Sequence, residues 1–130
     1  MITVDIVTPS RRLIEGAKAS SVKLPAAVGQ TEVLVGHTEL MTLLETGAVY
    51  INIDGRERKF AISRGFAEVK QDRVLVLAET AEESKDIDRE RAKRAQKKAE
   101  EMLQSVLSED HFKKYQLKLQ RAIVRQQISA

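Results

Sequence analysis

Four side chains in the last third of the chain, Asp88, Arg91, Arg121 and Arg125, have the types and spacing to bind an anion. Residues three apart (Asp88 and Arg91) or four apart (Arg121 and Arg125) share one face of a helix. If the segments carrying them form an antiparallel hairpin, the start of the first lies beside the end of the second. Arg91, Arg121 and Arg125 then converge, with Asp88 and Glu82 nearby. Clustered guanidiniums repel unless an anion sits between them, and their planar forks suit phosphate oxygens. A carboxylate beside them accepts from an amino group such as that of adenine. The pattern is nucleotide-shaped without hydrolytic machinery. A plainer reading fits the same spacing: Asp88 faces the helix dipole and pairs with Arg91, and Arg121 and Arg125 are solvated, contacts worth about 0–1 kcal/mol.

Other chemistry is hard to place. There is no Cys, and only His37 and His111, so a disulfide framework, thiolate ligands or a His-based metal site are not expected. No Gly is followed by Lys, which excludes a Walker-type phosphate loop. His37 follows Gly36 and reads as a turn residue. No catalytic residue is assigned, and the chain is expected to be non-catalytic.

These residues depend on a change of character at Asp86. Residues 87–130 contain neither Gly nor Pro, and apolar residues recur every three or four positions. Upstream, short alternating runs lie between turn residues: Ile2 to Ile6 ending at Thr8-Pro9, Arg11 to Glu15 closed by Gly16, Val22 to Leu24 stopped by Pro25, Glu32 to Val35, Leu40 to Leu44, and Ala48 to Ile53 after Gly47. Asp54-Gly55 is a hairpin signal, Arg58 to Ile62 returns, Phe66 to Val69 follows Gly65, and Gln71-Asp72 turns the chain into Val74 to Leu77. So many short strands predict a β-sandwich or flattened barrel over 1–86.

Asp86 reads as the N-cap of a first helix, with Ala92, Ala95, Ala99, Leu103, Val106 and Leu107 as its apolar stripe. Ser108 caps a second, with Phe112, Tyr115, Leu119, Ala122 and Ile123 as stripe and Leu107 and Phe112 at the staple positions. The short connection predicts an antiparallel two-helix hairpin over 87–130. Its Ala-rich seam buries little surface, and area sets the hydrophobic gain at roughly 25 cal/mol per Å². The hairpin is therefore expected to be bistable, docked on the sandwich or released.

Charge separates the two parts. Residues 1–86 carry 11 Lys and Arg against 13 Asp and Glu; residues 87–130 carry 11 against 6, within a net +3. A basic tail suits an acidic partner, a phosphate or RNA. An RNA-binding β-barrel needs aromatic stacking platforms, and the chain has three Phe, two Tyr and no Trp, so nucleic acid is not an expected partner. No apolar run reaches 18 residues, the length that marks a spanning helix. The N-terminus shows no secretory signal, and the lack of Cys fits a cytoplasmic setting.

Val7-Thr8-Pro9, the run Leu34-Val35-Gly36-His37-Thr38-Glu39-Leu40, Gly65-Phe66-Ala67-Glu68-Val69, Val74 to Ala78 and Ile87-Asp88-Arg89-Glu90-Arg91-Ala92, in that order and spacing, resemble the epsilon chain of bacterial F-type ATP synthases. The resemblance spans essentially the whole chain. It implies a sandwich that binds the gamma subunit and the c-ring in the central stalk, and helices that inhibit ATP hydrolysis by the alpha/beta head when extended. It also implies a peripheral position on the cytoplasmic face of the cell membrane. In some members a motif of Ile or Leu, Asp, two variable residues, Arg and Ala marks ATP binding to the folded hairpin, and Ile87, Asp88, Arg91 and Ala92 match it. Glu82, Arg121 and Arg125 fit the upstream Glu and the two late Arg used with it. ATP, with or without Mg²⁺, is then an effector. The exposed basic residues Arg89, Lys93, Arg94, Lys97 and Lys98 are the expected contact with acidic segments of the head. The loop Ala26-Ala27-Val28-Gly29 departs from the usual Gly- and Glu-containing one. A member whose helices do not respond to ATP is the alternative.

Overall fold

A computed structural model of the chain describes residues 1–105 and 107–129. Ten strands form the N-terminal part: β1 (Ile2–Val7), β2 (Arg12–Ala19), β3 (Ser21–Ala26), β4 (Gly29–Leu34), β5 (Leu40–Leu44), β6 (Gly47–Ile53), β7 (Arg56–Ile62), β8 (Gly65–Lys70), β9 (Arg73–Ala78) and β10 (Ala81–Glu83). They pair in the order β10-β7-β6-β3-β5-β8-β9-β1-β2, with β4 added to β3. The sheet folds over on itself because β3 serves both halves: Ser21 to Lys23 pair with β6, and Ala26 pairs with Leu44 of β5. Period-2 alternation sends Ile2, Val4, Ile6, Val22, Leu24, Val49, Ile51, Phe60, Val74 and Val76 into one core. This is the sandwich that the sequence predicts, followed by α1 (Arg89–Leu103) and α2 (Glu109–Ile128).

The turn signals hold where two left-handed residues are needed. Asp54 and Gly55 have φ of 52° and 78°, and Gln71 and Asp72 have 50° and 59°, matching the twist of the strands they join. Two expected strand ends differ. Gly16 does not close a strand: it sits inside β2 at φ 64°, where the register with β1 slips by one residue, a bulge that only a residue free to adopt positive φ makes cheaply. Its N–H donates to Asp5 Oδ1 at 2.9 Å. Pro25 does not stop β3 either, because it lies where that strand passes from β6 to β5 and no ladder partner on that side requires its missing N–H.

Beyond β9, Thr80 N–H donates to Ser63 Oγ at 3.0 Å and the two hydroxyls meet at 2.7 Å. This clasp delivers the chain to β10, a three-residue edge strand on β7 for which the sequence carries no strand signal. A single 3₁₀ turn, Ser84–Asp86, follows. The cap of α1 is therefore Asp88 and not Asp86: its Oδ1 accepts from Arg91 N–H at 3.1 Å. Ser108 caps α2 as its sequence position predicts, accepting from His111 N–H.

The helices are antiparallel. α1 packs on α2, and α2 lies on β6 and β7. Ala92, Ala99, Ala122 and Ile128 are buried, but none belongs to the sandwich core. Phe112, expected in the stripe, is 42% exposed; the residues of α2 that meet the sandwich around the cleft, Arg121, Val124 and Arg125, lie in its later turns. Val106 of the first stripe lies outside the described residues. No helix among the described residues is long and apolar enough to cross a membrane.

Candidate functional site

Where α2 crosses the β7–β10 edge, a small cleft of about 80 Å³ opens between Ala61, Thr80, Glu82, Arg121, Val124 and Arg125. Arg121 and Arg125 reach it one turn apart on α2. Glu82 reaches it from β10, whose pairing with β7 (Glu82 opposite Ala61) fixes its height.

Strand geometry separates the two neighbouring glutamates. Successive side chains leave opposite faces. Glu82 faces Arg125, Oε1 to Nε 3.9 Å. Glu83 turns away and is gripped by Arg58 through two bonds, Nε to Oε2 at 2.8 Å and Nη2 to Oε1 at 2.7 Å. The hydrogen bonds from Arg58 hold the Glu83 carboxyl below its ordinary range, against a smaller opposing effect of burial, and raise the Arg58 guanidinium in turn. Glu83 is thus committed to structure, and Glu82 is the glutamate available to the cleft.

The cleft cations are loosely held. Arg121 Nη2 lies 3.5 Å from Glu79 Oε2, longer than the 2.7–2.9 Å typical of a charge-assisted bond. Its Nε is buried and has no acceptor among the described residues. Glu79 in turn lies 3.7 Å from Arg64 Nη2. Glu79 and Arg64 are absent from the sequence reading. The signal missing from the sequence is the Ser63–Thr80 clasp, which brings the two loops together.

Ile87 is half-buried between the 3₁₀ turn and the cap of α1, and Ala92 is buried in the helix seam. Asp88 and Arg91 are exposed. The carboxylate of Asp88 is engaged with Arg91's backbone N–H, and the Arg91 side chain has no ion-pair partner among the described residues. The structure therefore joins Glu82, Arg121 and Arg125 in the cleft, and leaves Asp88 and Arg91 outside its lining. Arg89, Lys93, Arg94, Lys97 and Lys98 are all exposed on α1 with the hairpin docked.

Residues 1–84 match the family model for the β-sandwich domain of the ATP synthase delta/epsilon chain, and residues 85–130 match that for its long α-helix domain. The chain belongs to the ATP synthase delta/epsilon chain family. It is 41% identical over 125 residues to the ATP synthase epsilon chain of Anaeromyxobacter sp. (strain Fw109-5), covering 95% of this chain and 94% of that one. It is 38% identical over 130 residues to the epsilon chain of Geotalea uraniireducens (strain Rf4), covering 99% and 94%. The fold is also that of a chain in the Euglena gracilis mitochondrial ATP synthase (OSCP/F1/c-ring), with TM-score 0.82 and 21% identity over 92% of this chain and 75% of that one. A chain of the Tetrahymena thermophila central stalk and c-ring superposes with TM-score 0.68 at 11% identity, over 99% and 96%.

Proposed function

We propose that this chain is the non-catalytic epsilon subunit of a bacterial ATP synthase central stalk, peripheral on the cytoplasmic face of the membrane. Its sandwich joins the gamma subunit to the c-ring, and its hairpin restrains ATP hydrolysis by the alpha/beta head when released. Bound ATP favours the docked, non-inhibitory hairpin. Family membership supports the stalk role. The ATP response rests on one observation: Arg121 and Arg125, at the joint where hairpin meets sandwich, have donors that their carboxylate neighbours leave underused.

The donor set fits a phosphate group. The cleft, at about 80 Å³, is smaller than the roughly 300 Å³ of a whole small-molecule site, so it suits the phosphate end of a nucleotide. Arg121 and Arg125 would hold phosphate oxygens, and Asp88 and Arg91 flank the joint. A ligand that binds only the docked form, at 100 times its dissociation constant, stabilises that form by about 2.7 kcal/mol.

A stalk surface is also present. Leu43, Phe66, Leu77 and Val7 are register partners across β5, β8, β9 and β1, so they share one outward face. Leu43 is 66% exposed and Leu77 42%. A continuous apolar row of this kind suits a permanent partner, here gamma. The basic residues of α1 are solvent-facing while the hairpin is docked, so release changes their reach and not their exposure. The test is hydrolysis by the reconstituted complex: Arg89→Gln, Lys93→Gln and Lys97→Gln together are expected to relieve inhibition, and unchanged inhibition would remove charge attraction from the account.

A further inference from the structure

We propose that Glu79 is the resident counter-ion of Arg121, which phosphate must displace, and that Arg64 receives the displaced carboxylate. The inference rests on the reading that Arg121 holds phosphate. Its consequence is that two residues outside the nucleotide motif set the concentration at which the hairpin responds.

The backbone at Glu79 is fixed on both sides. Its N–H donates to Arg64 O at 3.1 Å, and Thr80 is clasped by Ser63. The carboxylate is shared between two elements: Oε2 is 3.5 Å from Arg121 Nη2 on α2, and Oε1 is 3.7 Å from Arg64 Nη2 on the β7–β8 loop. Neither contact has the length of a committed ion pair. Arg121 is 27% exposed and Arg64 59%, so the partner inside the cleft is the more desolvated of the two.

A guanidinium whose fork is taken by a phosphate cannot keep a carboxylate beside it without two anions repelling at close range. Glu79 must then leave Arg121. Arg64 already lies on its other side, so a small side-chain rotation exchanges one partner for the other and leaves no charge stranded. Glu79 therefore opposes nucleotide binding. Arg64, which does not line the cleft, assists it by drawing Glu79 away.

The opposite signs make the idea testable. The full chain is titrated calorimetrically with ATP as wild type, Glu79→Gln, Arg64→Gln and the double variant, at low and physiological salt. Amide exchange of α2 in the nucleotide-free proteins gives the docked fraction, by which each affinity is corrected. Glu79→Gln is expected to bind roughly three- to fivefold tighter, as loss of one screened surface repulsion allows. Arg64→Gln is expected to bind more weakly by a similar factor, and the double variant to match Glu79→Gln, because Arg64 has nothing to draw away. A corrected affinity for Glu79→Gln that is equal or weaker would mean that Glu79 positions Arg121, and would overturn the proposal. An Arg64→Gln loss of the same size in both backgrounds would mean that Arg64 attracts phosphate by its own field, and would also overturn it. If the wild type binds no ATP, the proposal falls together with the nucleotide reading; if the wild type binds and the signs are wrong, it falls alone.

Discussion

Arg58 and Glu83 form a two-pronged ion pair, at 2.8 and 2.7 Å, that fastens the edge strand β10 to β7. Glu83 is 13% exposed in its side chain, so the pair is better desolvated than the exposed helix pairs Lys93–Glu90 and Lys113–Glu109. Because β10 also carries Glu82, this pair sets the position of the cleft.

The Glu83 carboxyl titrates below its ordinary value of 4.5 in the folded chain. A lowered folded-state value contributes stability that is fully present above the unfolded value and is lost as pH falls through the folded one. Glu83→Gln is therefore expected to destabilise the chain by about 1–2 kcal/mol at neutral pH. Chemical denaturation of the two proteins across pH should show the difference shrink below pH 4.5; a difference independent of pH would contradict the assignment.

Asp88 caps α1, so its replacement by Ala confounds a cap with a ligand. Asp88→Ala is expected to cost about 1 kcal/mol of helix stability, and Asp88→Asn, which caps as well, only a fraction of that. Amide exchange across 89–103 separates them. Equal loss of protection in both variants would mean that the charge of Asp88, and not its cap, supports the helix.

Much of the fold is legible because sheet patterning is local. Ile2-Val4-Ile6 and Val74-Val76 declare their buried faces by alternation, and Asp54-Gly55 and Gln71-Asp72 declare their turns. β10 is not legible: Ala81–Glu83 has no apolar alternation, and is held against β7 by the Arg58–Glu83 pair and, at its start, by the Ser63–Thr80 clasp. The same clasp hides Glu79 and Arg64 from any reading of spacing. Of the seven residues assigned to nucleotide, spacing identifies Arg121 and Arg125 as neighbours, but only the strand's alternation tells Glu82 from Glu83. Gly16 and Pro25 mislead because each usually ends a strand: here Gly16 makes a bulge in the β1–β2 ladder, and Pro25 faces the gap between β6 and β5 while its pairing with β4 runs on.

Gly65 begins β8 so close to β9 that an added Cβ would lie 2.0 Å from Leu77 O and 2.9 Å from Ala78 Cα. Backbone cannot yield as a side chain can. Gly65→Ala is expected to cost about 3 kcal/mol, read as a lowered unfolding midpoint. An unchanged midpoint would mean that β8 and β9 separate freely at this end.

The hairpin seam is thin because Ala92, Ala99 and Ala122 let the helices approach closely. Ala122→Leu is expected to overpack it by about 1–3 kcal/mol, releasing the hairpin while the sandwich stays intact. Exchange protection should fall in α1 and α2 alone. Loss of protection in β1 and β9 as well would mean that the two parts unfold as one unit.

On the proposed reading, the joint between sandwich and hairpin binds nucleotide. Calorimetric titration of the chain with ATP is set beside the same titration of an Arg121→Gln, Arg125→Gln variant. Saturable one-site binding by the wild type, lost in the variant, is expected. No heat at millimolar ATP, with a second binding probe agreeing, or binding undiminished in the variant, would contradict it.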